Sequence, residues 1–406
     1  MTPLRLVWQS PVFRMLATII GLVGCVNASV YPYQSLIGIE DVGLSHAAFA
    51  LVMVLASAVA VTTSVYIGIL GDQRANRRRV ALTTACFGVA GAALMLAAPH
   101  PTTFVLANGV FLPIASSLFG QSFAMTRLAT HDMPAQRDGI QATIRAAMSI
   151  TFLAMLVFWT FAFAAGLPVR SIYASGGLAS LCLVLVIYFF WPRDGQTPWQ
   201  DRPSGLRLTQ ALRQLARPAV AIRLLCLGAV SSSGTVYMVL ISLVMEATPG
   251  RSNADVALYV GLVAGWEVPF MLLLPRYLAH VSRSRLIILG TACYVCHLAL
   301  IPVLAGSSAL WLLTFAAGLG GTAILILPIA YYQDLLSSQP GTAAALLALQ
   351  KLVADSLAAL AFGVGTAVGG YGLTALIGAG VALTGAFGLW LVDSRAPFTP
   401  DLTPSS

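Results

Sequence analysis

The stretch PRDGQTPWQDRPSGLRLTQALRQLARP, residues 192–218, is the longest polar segment in a chain that is otherwise mostly apolar. Its prolines, Gly205 and its arginines favour an irregular linker, whereas LTQALRQLA (208–216) has the pattern of a short amphipathic helix on a membrane surface. Because this segment divides the chain into two parts of similar length, the fold depends on what lies on either side of it.

Both flanking parts are too apolar for a soluble domain. Of 406 residues, 58% are hydrophobic and 9% are charged, whereas soluble domains carry about 25% charged residues. Runs of about 20 apolar residues, long enough to cross a bilayer, recur along the whole chain. We predict an all-α membrane protein with twelve spanning helices, six on each side of the linker: 14–37, 46–71, 80–98, 103–126, 139–165, 171–191, 219–245, 254–275, 286–305, 309–332, 342–367 and 371–392.

The 22 Lys and Arg residues are distributed unevenly among the segments between these runs. If the N-terminus is cytoplasmic, sixteen fall in cytoplasmic segments and two, Arg170 and Arg251, fall in the opposite loops. The positive-inside rule predicts this asymmetry for an even number of spans with both ends in the cytoplasm. The net charge of +8 therefore reflects topology, and we expect no nucleic-acid partner.

This pattern predicts four segments. They are an N-terminal six-helix bundle (1–191), a cytoplasmic linker (192–218), a C-terminal six-helix bundle (219–392) and a cytoplasmic tail (393–406). Two pseudo-symmetric bundles joined by one long loop are typical of a transporter whose site lies near the midplane. The N-terminus is basic and then apolar, as in a signal peptide. Its apolar run is too long and no cleavage site follows, so we predict a retained first helix.

The six cysteines all fall inside predicted spans, so we expect no disulfide framework. Cys293-Tyr-Val-Cys296-His297 fits the CxxCH pattern of haem attachment, but that chemistry needs an accessible segment, and this one lies within an apolar run. We interpret the cysteines as small apolar residues and His297 as a helix-facing histidine. No cofactor or metal is expected.

A basic loop follows the second predicted span, with the sequence GILGDQRANRRRV at 68–80. It resembles the loop signature of the major facilitator superfamily, a glycine and, four residues later, an aspartate followed by a basic run. Gln73, Ala75 and Asn76 depart from the usual residues. The resemblance implies two six-helix bundles and a cytoplasmic gate. The gating residues that it implies are Gly68, Asp72, Arg77 and Arg78.

Three further stretches are similar to the bacterial sugar efflux transporters of the Set/Sot branch. They are GLVAGWEVPFMLL (261–273), YYQDLLSSQPGTAAALL (331–347) and IRAAMSI (144–150). The resemblance implies export of a sugar or similar solute by proton antiport in a bacterial inner membrane, with Asp334 as a further gating residue. We expect a small solute, protons and lipid as partners, and a monomer.

Four ionisable residues lie deep in predicted spans, where such residues are rare and usually functional. Glu267 either lines a cavity, where it exchanges a proton or bonds sugar hydroxyls beside Trp266, or is a structural carboxyl group. Arg145 binds solute, neutralises Glu267, or reaches the cytoplasmic end of its helix. Lys351 and Asp355 are four residues apart and can pair on one helix face. The uncharged candidates, each able to bind solute or to serve packing, are Asn27, Tyr31, Gln121, Tyr237, Tyr332 and Gln350.

Two other functions are compatible with parts of this pattern. A drug or metabolite exporter of the same superfamily shares the topology and the gating motif. A polytopic membrane enzyme needs clustered His, Asp or Glu residues, but the five histidines are dispersed and no Walker lysine loop is present. We therefore predict a transporter and not an enzyme.

Overall fold

The computed structural model of the protein describes residues 3–74, 77–130, 132–133, 136–193, 218–278, 281–335 and 340–395. Most of the predicted linker and of the predicted tail lies outside these residues. Twelve helices in the described part are long and apolar enough to cross a membrane, which confirms the predicted all-α architecture. They are α1 (Pro11–Asp41), α2 (His46–Arg74), α3 (Arg77–Ala97), α4 (Pro101–Ala129), α5 (Arg137–Ala164), α6 (Ser171–Phe190), α7 (Pro218–Glu246), α8 (Asn253–Leu278), α9 (Arg283–Leu304), α10 (Leu313–Leu335), α11 (Pro340–Val368) and α12 (Gly370–Arg395).

The main departure from the predicted spans is at the N-terminus. A short helix that the hydropathy pattern does not indicate, Pro3–Gln9, precedes α1. The break between the two helices has a local cause, because Ser10 is extended and its hydroxyl accepts the backbone N–H of Phe13 at 3.5 Å, with Pro11 at the first helical position. Later in α1, a 3₁₀ turn at Tyr31–Tyr33 and a π turn at Ile37–Asp41 carry the helix past the predicted end.

A second π turn, Ala107–Phe111, interrupts α4. It ends two residues before Pro113, which has no backbone N–H to donate to the preceding turn. Asn108 within the π turn donates to the carbonyl oxygen of Phe104 at 3.3 Å and accepts the hydroxyl of Tyr173 at 3.1 Å. These contacts attach the irregular turn to α6.

The chain divides into two compact units. The first contains Met1–Ser45, Leu55–Gly205 and Ser252–Leu258, and the second contains His46–Val54, Leu206–Arg251 and Tyr259–Ser406. Most of each unit coincides with one predicted bundle, but the first turns of α2 and of α8 are grouped with the opposite half of the sequence. In the second unit, for example, the His46 ring lies 5.7 Å from that of Phe362.

Within the first unit, α1 and α5 approach closely at Gly21 and Gly24. The hydroxyl of Thr151 donates to the carbonyl oxygen of Gly21 at 2.7 Å. A Cβ atom at Gly24 would lie 2.5 Å from that hydroxyl oxygen and 2.7 Å from the carbonyl oxygen of Met148. One turn further along α1, Ser29 accepts the indole N–H of Trp159 at 3.1 Å. The helix pair is therefore held by small residues and hydroxyl groups.

The second unit uses the same kind of contact between α9 and α10. A Cβ atom at Gly320 would lie 2.5 Å from the carbonyl oxygen of Gly290, and one at Gly290 would lie 2.3 Å from the Cβ atom of Ala323. Glycine at both positions lets the two backbones touch. The close contact between α9 and α10 also fixes the position of the adjoining residues of α10, which face α8.

The two arginines of the loops predicted to face outward both have structural contacts. The guanidinium of Arg170 forms a bidentate ion pair with Asp41. Arg251 donates to the carbonyl oxygens of Ala305 at 2.7 Å and Ser307 at 2.8 Å, and its guanidinium lies 5.5 Å from the ring of Trp311. These contacts tie loops to helix ends.

The close approach at Gly24 leads to a test of stability. We expect Gly24→Val to destabilise the protein by about 1–3 kcal/mol, because the added side chain must displace Thr151 and the α5 backbone. The measurement is the melting temperature in detergent. Gly120→Val in α4 is the matched control, since a Cβ atom there would meet nothing within 4 Å beyond its chain neighbours and the backbone of its own helix. Equal melting temperatures for the two variants would contradict the tight contact.

Candidate functional site

Glu267 lies on α8 where that helix crosses the glycine-rich segment of α10. A Cβ atom at Gly318 would lie 2.4 Å from the Cβ atom of Trp266 and 3.2 Å from the backbone nitrogen of Glu267. The hydroxyl of Thr322 donates to the carbonyl oxygen of Glu267 at 3.2 Å and to that of Gly318 at 2.8 Å. The sequence GLGGT of α10 therefore brings the two helices into backbone contact at Glu267.

The carboxyl group of Glu267 occupies the space that the missing side chain of Gly321 leaves. A Cβ atom at Gly321 would lie 2.6 Å from Oε1 of Glu267 and 3.4 Å from Cε2 of Tyr294 on α9. The carboxyl group thus points into the second unit, towards α9 and α10. No ion pair or side-chain hydrogen bond to it is found among the described residues. A carboxyl group without a cation beside it is least costly in apolar surroundings when it carries a proton.

Trp266 leaves α8 on a different face from Glu267. Its side chain is 41% exposed and lies in line with Leu258 and Leu262, which are also exposed. Its ring packs edge-on against Phe315 of α10 at 5.2 Å, and Phe315 in turn contacts Phe270. An exposed surface of leucine and aromatic rings on a membrane-spanning helix is typical of one that faces lipid. This position does not favour the predicted stacking of Trp266 on a sugar ring.

A polar seam joins α7 and α11 in the same unit. The ammonium of Lys351 lies 2.6 Å from Oδ2 of Asp355, as the four-residue spacing predicts, and the hydroxyl of Thr235 donates to Oδ1 at 3.0 Å. The amide of Gln350 donates to the hydroxyl of Ser231. The Asp355 side chain is 8% exposed, whereas that of Lys351 is 59% exposed. The carboxylate is therefore satisfied within the bundle, and the ammonium lies at an accessible surface.

Arg145 on α5 of the first unit is exposed although it lies inside a span. No hydrogen bond or ion pair of its side chain is found with any described residue. A guanidinium in contact with hydrocarbon costs several kcal/mol. Its exposed face therefore requires water, either in a cavity or at the end of the span near Gly139, about 9 Å away along the helix. The predicted pairing with Glu267, which belongs to the other unit, stays a prediction.

The remaining predicted solute-binding residues differ in their surroundings. Gln121 donates to hydroxyls of Thr84 at 3.2 Å and Ser117 at 3.3 Å, which is a packing role within the first unit. Tyr237 and Tyr332 are fully buried. Asn27 is half-buried, and Tyr31, in the 3₁₀ turn of α1, is 37% exposed. Asn27 and Tyr31 are thus partly accessible, in contrast to the two buried tyrosines.

The predicted gating residues are described only in part. Gly68 and Asp72 on α2 and Asp334 on α10 lie in helical stretches whose side-chain environment is outside the described set. Arg78, at the start of α3, donates to the carbonyl oxygen of Tyr188 at the end of α6 and lies 5.5 Å from its ring. Arg77 is half-buried beside it. The gating roles stay predictions.

An ion-pair network in the second unit was missed by the sequence reasoning. Nε of Arg223 on α7 lies 3.1 Å from Oδ1 of Asp393 on α12, and the hydroxyl of Tyr331 on α10 lies 2.9 Å from Nε and 2.7 Å from Oδ1. Ser284 on α9 also donates to Asp393. The spacing of 170 residues between the charged partners gives no local signal. Their only indication in the sequence is that opposite charges occur near helix ends that share one side of the membrane.

Twelve helices long and apolar enough to cross a membrane, with ionisable groups inside several of them, indicate a multi-pass membrane protein. The model of the Major Facilitator Superfamily matches residues 16–359 of the chain. The chain therefore belongs to the Major Facilitator Superfamily, whose members are membrane transporters, and it transports small solutes. This confirms the family resemblance and the prediction that the protein is not an enzyme.

Relatives within the superfamily agree with this assignment. A Deinococcus radiodurans protein named "Putative sugar efflux transporter" is 28% identical over 399 residues, which cover 93% of this chain and 96% of that protein. The solved structure of the nucleoside transporter NupG is 16% identical with a TM-score of 0.76, and the match covers 93% of this chain and 98% of that one. For a D-xylose-proton symporter the values are 16% identity, a TM-score of 0.68, and coverage of 93% and 97%. These structural matches support the fold.

The asymmetric burial of Lys351 and Asp355 leads to a double-mutant prediction. Lys351→Met leaves a buried carboxylate without its cation, so we expect it to destabilise the protein more than Asp355→Asn does. Adding Asp355→Asn to the Lys351→Met variant should restore stability, with a coupling of about 1 kcal/mol. Melting temperatures of the four proteins in detergent measure this. Additive losses would contradict the pairing.

Proposed function

We propose that the protein exports a small polar solute of the sugar class in exchange for protons, by alternating access. The position of Glu267 carries the proposal. Its carboxyl group lies midway along a membrane-spanning helix, in the gap at Gly321 beside Tyr294, without a cationic partner in the described part of the chain. Such a group can take up and release a proton when water reaches it.

The coupling rests on the cost of charge in hydrocarbon. With a proton, Glu267 is neutral and compatible with the closed packing of α8 against α10. Without the proton, the carboxylate requires water or a cation. Burying the carboxylate instead of the neutral acid costs several kcal/mol. Proton binding therefore biases the protein between a state in which the carboxyl group is sealed and one in which it is wetted.

The sugar class is supported by the relative named as a sugar efflux transporter and by the three stretches that resemble that branch. The direction of transport rests on the same resemblance. Neutral and cationic donors suit a polyhydroxylated solute, and we assign this role to Lys351, Gln350, Asn27 and Arg145. We further propose that Asp72 with Arg77 and Arg78 closes the cytoplasmic side.

The distribution of Lys and Arg supports a location in the bacterial inner membrane with both termini in the cytoplasm. Each six-helix bundle carries its own buried network, which is compatible with a protein that acts as a monomer.

Reconstituted transport tests the role of Glu267. In proteoliposomes with an imposed pH gradient, we expect Glu267→Gln to reduce solute flux by about a hundredfold, because the amide cannot carry a proton. Exchange of labelled for unlabelled solute without net proton movement should continue in the same variant. A panel of sugars and hydrophobic drugs identifies the solute class.

The matched control is Glu246→Gln, the same chemical change at the exposed end of α7, which should leave both kinds of flux unchanged. If Glu267→Gln keeps gradient-driven flux with the wild-type pH profile, the coupling role fails. If drugs are transported and sugars are not, the protein is a multidrug exporter of the superfamily.

A further inference from the structure

A cluster of buried aromatic and imidazole groups lies behind Glu267 in the second unit. Its members come from three helices: Tyr237 from α7, Tyr259 from α8, and Tyr294 with His297 from α9. The His297 ring centroid lies 5.0 Å from that of Tyr237, 5.1 Å from that of Tyr294 and 6.0 Å from that of Tyr259. Tyr237 is 1% exposed, and Tyr259 and His297 are 0% exposed.

Four polar atoms of this cluster have no hydrogen-bond partner within the described part of the chain. By ordinary hydrogen-bond geometry they are the hydroxyl oxygens of Tyr237 and Tyr259 and both ring nitrogens of His297. The backbone of Tyr294, one turn earlier on α9, also interacts with the His297 ring. A buried polar group without a partner costs about 1–3 kcal/mol. Four such atoms from three helices, converging within one cluster, indicate internal water, which typically makes about three hydrogen bonds at such sites.

The cluster extends from Glu267 towards the ends of α8 and α9 that adjoin the Arg251 loop. Tyr294 faces both the Gly321 gap that holds the Glu267 carboxyl group and the His297 ring. Tyr259 lies eight residues before Glu267, about 12 Å along α8, and its ring is 6.1 Å from that of Trp311, over which Arg251 lies. The aromatic and imidazole rings thus lie in series between the midspan acid and a loop, with neighbouring ring centroids 5.0 to 6.1 Å apart.

We propose that His297, Tyr237 and Tyr259 bind internal water and carry protons between that loop and Glu267. One nitrogen of the neutral imidazole accepts a proton from a hydrated proton on the loop side, which leaves a water molecule. The other nitrogen releases its proton through water to the Glu267 carboxylate, which becomes neutral. After one transfer the ring proton is on the opposite nitrogen. Proton exchange through the same water then restores the original tautomer. This inference rests on the proposed proton coupling at Glu267.

The groups that face His297 favour this role. Tyr237 and Tyr259 supply hydroxyls that can donate or accept, and Tyr294 lies on the same helix. Elsewhere on α9, Val295 packs against Ala379 and Ala382 of α12. Glu267 is the acidic group at one end of this series. Arg251 lies near the other end, where its guanidinium packs over the Trp311 ring.

Hydroxyl-radical footprinting in proteoliposomes tests for the water, because radicals formed from bound water modify adjacent side chains even when these are buried. We expect modification of Tyr237 and Tyr259. Tyr173 is the matched control, since it is 1% exposed but its hydroxyl is bonded to Asn108. If Tyr237 and Tyr259 are protected as strongly as Tyr173, the water site does not exist and the inference fails.

Transport by His297→Phe tests the proton path. We expect gradient-driven solute flux to fall by at least about tenfold, while exchange of labelled for unlabelled solute stays within about twofold of wild type, which also shows that the variant is folded. Glu267→Gln is measured in parallel. If it abolishes gradient-driven flux and His297→Phe does not reduce it, the inference fails and the proposed function stands. If neither variant reduces gradient-driven flux, both proposals fail.

Discussion

A charge inside a lipid-spanning bundle must have a partner or lose its charge, and this constraint determines how the second unit is arranged. Arg223 is buried because Asp393 and Tyr331 surround it, and Asp355 is buried because Lys351 and Thr235 satisfy its two oxygens. These groups fix four helices in place. Glu267 is different, since its surroundings provide space and tyrosine rings but no cation in the described residues. The same physical rule that makes the first two groups structural makes Glu267 a candidate for chemistry.

Small residues on α9 and α10 position Glu267 differently from the paired charges of the same unit. Gly318 and Gly321 allow α8 to touch α10, and Gly290 and Gly320 allow α9 to touch α10. Because the backbones are so close, the carboxyl group of Glu267 takes the place that a side chain at Gly321 would occupy, on the side that faces Tyr294. The glycines therefore determine where the acid lies between α9 and α10.

The spans and the family motif could be predicted from the sequence because hydropathy and loop charge are properties of contiguous residues. The Lys351–Asp355 pair could be predicted because helix geometry alone brings those positions together. The Arg223–Asp393 pair and the cluster around His297 could not, because they depend on how separate helices are rotated about their axes. Trp266 and Glu267 point in different directions, as consecutive residues of a helix do at about 100° per residue, and the predicted joint role of the two at a sugar stays a prediction. In the sequence, His297 stands out only as part of a CxxCH pattern. Its buried tyrosine neighbours become evident only from the packing of α7, α8 and α9.

The π turn at Ala107–Phe111 shifts the phase of α4. A π turn holds one more residue than an α turn, so the part of α4 that follows it is rotated by about 100° relative to an uninterrupted helix. In that later part of the helix, Gln121 donates to the hydroxyl of Thr84 on α3. Loss of a single residue from the turn would change the length of α4 very little, yet it would swing every later side chain of the helix onto the wrong neighbour. The single extra residue of the π turn therefore sets which face of the second half of α4 packs against its neighbours.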